Sequence, residues 1–267
     1  MLLSLLTTVL YLLSGLGLLS RLRSPDAFAA SLPRTVLLGP VLIALLLHGW
    51  ILYQGIFSPA GLNVGFFAVL SLVGWLVSLL LVLATLSQPV EMLGAFVYPF
   101  TALTVLLLAF NPAGHYLTGQ LDAGLKVHIL LSILAYSLLS IAAVQAALLY
   151  IQDSHLHGRH PGGFIRSLPS LETMETLLFQ MIGLGFVVLS LSLLSGGFYL
   201  EDIFSQHLVH KTVLSLLAWL IFAILLWGRW QFGWRGRTAI RWIISGFVVL
   251  MLAYFGSKFV IELILQR

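Results

Sequence analysis

"LVHKTVLSLLAWLIFAILLWGRW", residues 208–230, decides how the rest of the chain is read. His210 and Lys211 stand side by side, the seventeen residues from Thr212 to Gly228 carry no charge, and Arg229 follows. A bilayer core takes about 20 apolar residues in a helix rising 1.5 Å per residue, so this run is a membrane span with its charges at the two ends. The whole chain has the same character. Its 267 residues are 60% hydrophobic and 8% charged, with a mean hydropathy of +1.06, which excludes a soluble domain of this length. In hydrocarbon, backbone groups pair either within a helix or around a closed barrel. The runs here are Leu-rich and lack the period-two alternation of barrel strands, so the expected class is all-α, a polytopic bundle.

Eight spans are expected, at about Met1–Ser20, Pro33–Tyr53, Val64–Ala84, Met92–Phe110, Leu125–Ile151, Leu177–Ser195, Lys211–Trp227 and Ala239–Ile261. The first run lacks a basic start and a small-residue cleavage site, so it reads as a span rather than a leader. Linkers are short, giving one transmembrane domain over residues 1–267. Gly61 with Gly65, and Gly183 with Gly185, read as close-packing positions, and Pro40 and Pro99 fall inside spans.

The thirteen Lys and Arg residues divide unevenly. Arg21, Arg23, Arg34, Arg159, Arg166, Arg229, Arg235, Arg237 and Arg241 fall on one side of this arrangement; Lys126, Lys211, Lys258 and Arg267 fall on the other. The richer side faces the cytoplasm, so both termini are expected on the non-cytoplasmic side. A pI near 9.6 then reflects topology, since the arginines form no nucleic-acid-binding groove. There is no cysteine, which removes disulfides, thiolate metal sites and haem capture by the chain's own thiols.

Few Asp, Glu, Lys or Arg residues occupy span centres, which weakens an ion-coupled transport reading. No paired carboxylates and no nucleophile with a base at helical spacing suggest an enzyme. Histidine remains. His155, His157 and His160 lie in a Gly-rich link and read as solvated. His115 and His207 read as exposed. His48, His128 and His210 sit on three helices towards the outer side, where neutral imidazoles can ligate haem iron. Lys126 and Lys211 lie within two residues of candidate ligands and are suited to propionates. Tyr53, Phe57, Tyr116, Phe198 and Tyr199 offer aromatic walls.

Three stretches carry a resemblance: "LKVHILLSILAYSLLSIAAVQAALLYIQ", "LPSLETMETLLFQMIGLGFVVLSLSLLSG" and "HKTVLSLLAWLIFAILLWGRWQFGWRGRTAIRWIISGFVVLMLAYFG". Together they resemble the cytochrome c assembly membrane family, which includes CcsA, CcmC and HemX proteins. The likeness covers about residues 60–260 and is nearest to a branch of bacterial inner-membrane proteins. It implies haem, here haem b, held near the outer surface by histidines. His128 matches the family's first external histidine, with Ser132 and Tyr136 following. Lys211 matches the lysine closing the tryptophan-rich motif, Trp219 a tryptophan further along that span, and Trp234, Gly236 and Arg237 the cytoplasmic turn. The chain departs from the pattern in having no tryptophan in "SGGFYLEDIFSQHLVH" and no histidine after its last span, so His210 is the candidate second iron ligand beside His128.

These residues imply an inner-membrane protein that handles haem at its outer face in cytochrome c biogenesis. The contrasting expectation is a cofactor-free regulatory or structural subunit. Expected partners are the lipid bilayer and either another membrane protein or a haem-receiving protein, with no nucleic acid.

Overall fold

The computed structural model describes residues 1–23, 34–58, 61–112, 114, 116–117, 122–157, 168–199 and 206–264. Among these, eight helices are long and apolar enough to cross a membrane. They are α1 (Leu2–Arg23), α2 (Arg34–Ile56), α3 (Phe66–Thr85), α4 (Gly94–Phe110), α5 (Ala123–His157), α6 (Leu171–Tyr199), α7 (Gln206–Phe232) and α8 (Gly236–Met251). The expected spans and the observed helices correspond one to one.

The chain forms two compact units, Met1–Gly119 with His155–Pro169, and Gln120–Ser154 with Ser170–Arg267. In the first unit α1 packs on α2 and α4, and α3 packs on α2 and α4. Leu18, Leu22, Val41, Ala44, Leu81, Tyr98 and Ala102 fill its interior. Gly15 lets α1 close on α4, since a Cβ there would lie 2.6 Å from the Pro99 ring. Both Pro40 and Pro99 are inside helices, as read from the sequence.

Three short antiparallel strands accompany this unit: β1 (Phe57–Ser58), β2 (Gly61–Asn63) and β3 (Tyr116–Leu117), paired in that order. Gly61 lies in β2 with φ 125° and Gly65 stands just before α3 as its N-cap. They serve a turn and a cap, not the helix-packing pair expected from their spacing. Gly185 does pack: a Cβ there would lie 2.8 Å from Leu139 on α5. Gly183 has no atom within 4 Å of that position.

In the second unit α7 packs against α6 and α8, around buried Ala218, Phe222, Leu225, Ile243 and Leu250. Helix α8 passes into two π-helical stretches, Leu252–Gly256 and Phe259–Ile264. Between them Lys258 is buried and its Nζ lies 3.0 Å from Glu262 Oε1.

The link between α5 and α6 is shorter than expected. "QDSHLH" continues α5 to His157, because none of its residues breaks a helix, and α6 starts at Leu171. Ser170 supplies the cap: its Oγ accepts the Thr173 N–H at 3.2 Å. His155 and His157 are therefore helical, while His160 and His115 lie outside the described residues.

Candidate functional site

His128 lies in the second turn of α5. Asp122 caps that helix, accepting the Gly124 N–H on Oδ2 at 2.9 Å, so the first two turns, which carry Lys126 and His128, are held in place. The imidazole is anchored on α6. Its Nδ1 lies 2.9 Å from the Ser192 carbonyl oxygen and 3.2 Å from Ser195 Oγ. A carbonyl only accepts, so Nδ1 carries the proton. Ser195 directs its own hydroxyl to the same carbonyl at 2.7 Å, leaving its lone pairs for Nδ1–H. The neutral ring thus keeps its lone pair on Nε2, which makes no hydrogen bond among the described residues.

Three more polar groups lock this arrangement. Ser132 Oγ donates to the His128 carbonyl at 2.7 Å, so the 2.7 Å contact between Ser132 and Ser192 hydroxyls has Ser192 as donor. The proton order Ser192, Ser132, His128 carbonyl is fully determined. A histidine with Nδ1–H fixed on a backbone carbonyl and Nε2 left as a lone-pair donor is the usual arrangement of a metal-ligating imidazole. "SLSLLS" at 190–195 was the sequence signal for it: serines spaced through an otherwise apolar span mark interhelical bonding.

Trp219 is placed similarly. Its indole N–H donates to Ser190 Oγ at 2.8 Å and its ring stacks on Phe186 with centroids 5.4 Å apart. Trp219→Phe is expected to cost about 1 kcal/mol, lowering the melting temperature by about 2–4 °C; a thermal melt checks this.

His210 lies on α7 and is exposed, and Lys211 is half-buried beside it. Helix α7 begins at Gln206, so His207 and His210 share a continuous helical backbone. The contact between Trp219 and Ser190 ties α7 to α6 at one level. From it, His210 is nine residues back along α7, about 13 Å. The acceptors of His128 are only two and five residues along α6, about 3 and 8 Å. The two imidazoles therefore stand at different levels, His210 the further from the Trp219–Ser190 contact. Lys126 is exposed. Lys211 interacts electrostatically with Lys258 and Glu262.

His48 belongs to the first unit and differs from both. It is fully buried, with Nδ1 3.3 Å from the Tyr11 hydroxyl and Nε2 2.9 Å from Ser71 Oγ. To bind iron it would have to release one of these partners. Among the expected aromatic walls, Tyr53 and Phe57 form an exposed stack with Trp50 in the first unit. Tyr116 also belongs there and Phe198 to the second unit, both exposed, while the Tyr199 side chain lies outside the described residues.

At the opposite end of the second unit, the turn "GWRG" is held from several sides. Gly233 and Gly236 take φ +65° and +56°, values that glycine adopts without strain. Glu175 Oε1 accepts the Gly236 N–H, Arg229 donates to the Trp234 carbonyl at 3.2 Å, and Arg237 pairs with Asp153 at 2.9 Å. Trp234 stacks on Trp242 and covers Gly228, where a Cβ would lie 2.4 Å from the indole.

Residues 40–265 match the family described as Cytochrome C assembly protein. The chain belongs to that family. It is 34% identical over 224 residues to the inner membrane protein YpjD of Escherichia coli, covering 83% of this chain and 85% of that one. It is also 30% identical over 142 residues to the cytochrome c biogenesis protein CcsA of Chlamydomonas reinhardtii, 52% of this chain and 38% of that one. CcsA of Nostoc punctiforme is 32% identical over 87 residues, 32% of this chain and 25% of that protein. No solved structure matches. The chain is thus a multi-pass membrane protein related to those of cytochrome c biogenesis.

Proposed function

We propose that this inner-membrane protein binds haem at the outer end of its second unit, with His128 as an axial ligand, and holds or relays it in cytochrome c biogenesis. The observation that carries the reading is the Nδ1–H of His128 fixed on the Ser192 carbonyl, which presents Nε2 as an iron-ligating nitrogen. Haem, proposed as haem b, would supply a coordination site for an axial imidazole and two anionic propionates. His210 is the proposed second ligand, and Lys126 and Lys211 the cations for the propionates. We assign His48 to holding the first unit together, since both its ring nitrogens are engaged. The names of the relatives, inner membrane protein and cytochrome c biogenesis protein, agree in location and pathway. A pyridine haemochrome assay on protein purified from its native host tests the reading. About one haem per chain supports it, and colourless protein that co-purifies with another membrane protein favours the cofactor-free subunit.

We place both termini on the non-cytoplasmic side, following the nine-to-four division of basic residues. The chain has no cysteine, so each introduced thiol reports one position. Ala123→Cys is expected to react with an impermeant maleimide in intact spheroplasts and Ser87→Cys only after permeabilisation. The reverse pattern would invert the topology.

A further inference from the structure

The end of the second unit where α7 turns into α8 exposes arginines and aromatic rings together. Trp227, Trp230 and Phe232 are all exposed, Trp230 at 83%. Trp227 packs edge-on against Phe232, Phe232 stacks on Trp234 and Trp234 on Trp242, with centroids 5.5, 6.3 and 5.5 Å apart. One aromatic line thus runs from α7 across the turn to α8 and ends one residue from Arg241. Its depth follows from the helix pair. A Cβ on Gly246 would lie 3.0 Å from Phe222 and 3.1 Å from Ile221, so α8 and α7 are level there. Five residues towards the turn, about 7.5 Å, Arg241 stands level with Trp227, at the edge of the charge-free run that Arg229 closes. Indole rings favour that depth, the boundary between hydrocarbon and headgroups. An arginine there lays its methylenes on apolar surface and lifts its guanidinium to the headgroups.

Arg235, Arg237 and Arg241 are exposed. The carboxylates packed against this corner are engaged, Asp153 with Arg237 and Glu175 with the Gly236 N–H. Among the described residues, Arg235 and Arg241 have no acidic partner. The exposed stripe of α8 runs from Arg237 and Arg241 through Ser245 to Val248 and Leu252, at spacings of three and four. Its cations stand at the end of the span and its apolar side chains deeper along it. That is the profile of a phospholipid, with phosphate at the surface and acyl chains below. Surplus positive charge selects among phospholipids: a zwitterionic headgroup carries an amine that these guanidinium groups repel, and an anionic one does not.

We propose that this corner binds an anionic phospholipid, with Arg241 donating to its phosphate, Arg235 adding positive potential and the acyl chains lying along Val248 and Leu252. A guanidinium suits the role because its planar fork donates to two phosphate oxygens at once. The aromatic line beside it fixes the depth at which the headgroup sits.

The full chain, purified in a non-ionic detergent and titrated separately with dioleoylphosphatidylglycerol and dioleoylphosphatidylcholine, tests this, with bound lipid read by native mass spectrometry. The parent is expected to reach half-occupancy at a phosphatidylglycerol concentration about fivefold or more below that for phosphatidylcholine. Arg241→Gln is expected to lose about fivefold in affinity for phosphatidylglycerol and none for phosphatidylcholine, the effect of one arginine at a membrane surface. Arg241→Lys keeps the charge without the fork and should fall between the two. Arg241 is exposed, so these variants should elute as the parent does in size-exclusion chromatography. Equal uptake of the two lipids by the parent, or unchanged phosphatidylglycerol uptake by Arg241→Gln, overturns the site. A parent without lipid preference that carries a protein lost from Arg241→Gln assigns the corner to that protein and overturns the lipid site as well.

Discussion

His128→Ala is expected to purify with at least a tenfold lower haem content than the parent protein while keeping its helical content. The ring contributes Nε2 to the proposed iron site, and its removal takes away the ligand itself, where loss of a supporting partner alone already costs about 10–100-fold in affinity. Ser195→Ala should have a smaller effect, because the Ser192 carbonyl, at 2.9 Å, still accepts from Nδ1. Free imidazole is expected to restore part of the spectrum of His128→Ala. His210→Ala tests the second ligand, and reduced-minus-oxidised spectra read both variants. Unchanged haem content in both removes the pair from consideration. His48→Ala should behave oppositely, retaining haem and losing stability, since it strips Tyr11 and Ser71 of a buried partner.

Gly15→Leu is expected to be the most damaging substitution in the first unit. The Cβ alone would lie 2.6 and 2.7 Å from Cδ and Cγ of Pro99, and a proline ring is fixed to its backbone and cannot rotate aside. Helices α1 and α4 would have to separate along a contact that also buries Leu18 and Tyr98. Overpacking of a tight core costs about 1–3 kcal/mol and more where backbone must move. The expected outcome is a melting temperature about 5 °C or more below the parent, or loss of monodisperse protein in size-exclusion chromatography. Gly183→Leu is the control, since the space beside Gly183 is open to at least 4 Å and the variant should elute and melt as the parent does.

The helices were legible because hydropathy alone specifies a span: residues 208–230 needed no packing information to be read as one. Their ends were less so. The Ser170 cap stood in "LPSLET" and marks the start of α6 six residues before its apolar run begins. The polar tail of α5 carried no signal of its own beyond the absence of a breaker. Strands of two and three residues are too short for a period, which is why β1 to β3 were not anticipated. At the site, histidines could be named from the sequence but not ranked. His48 and His128 look alike in "LLLHGW" and "LKVHIL". What separates them is whether the partners fill both ring nitrogens or only one, and those partners, Tyr11, Ser71 and Ser192, lie 23 to 64 residues away.

The widened turns that end α8 change how relatives should be aligned with this chain. A π turn takes up one residue more than an α turn over nearly the same rise, so beyond Leu252 every side chain is rotated from where the first half of the helix would project it. That rotation accompanies the burial of an ammonium, Lys258, near the end of a lipid-facing segment. A homologue whose last helix stays regular should be one residue shorter between Met251 and Ser257, and a gapless alignment would match its buried positions with this protein's lipid-facing ones.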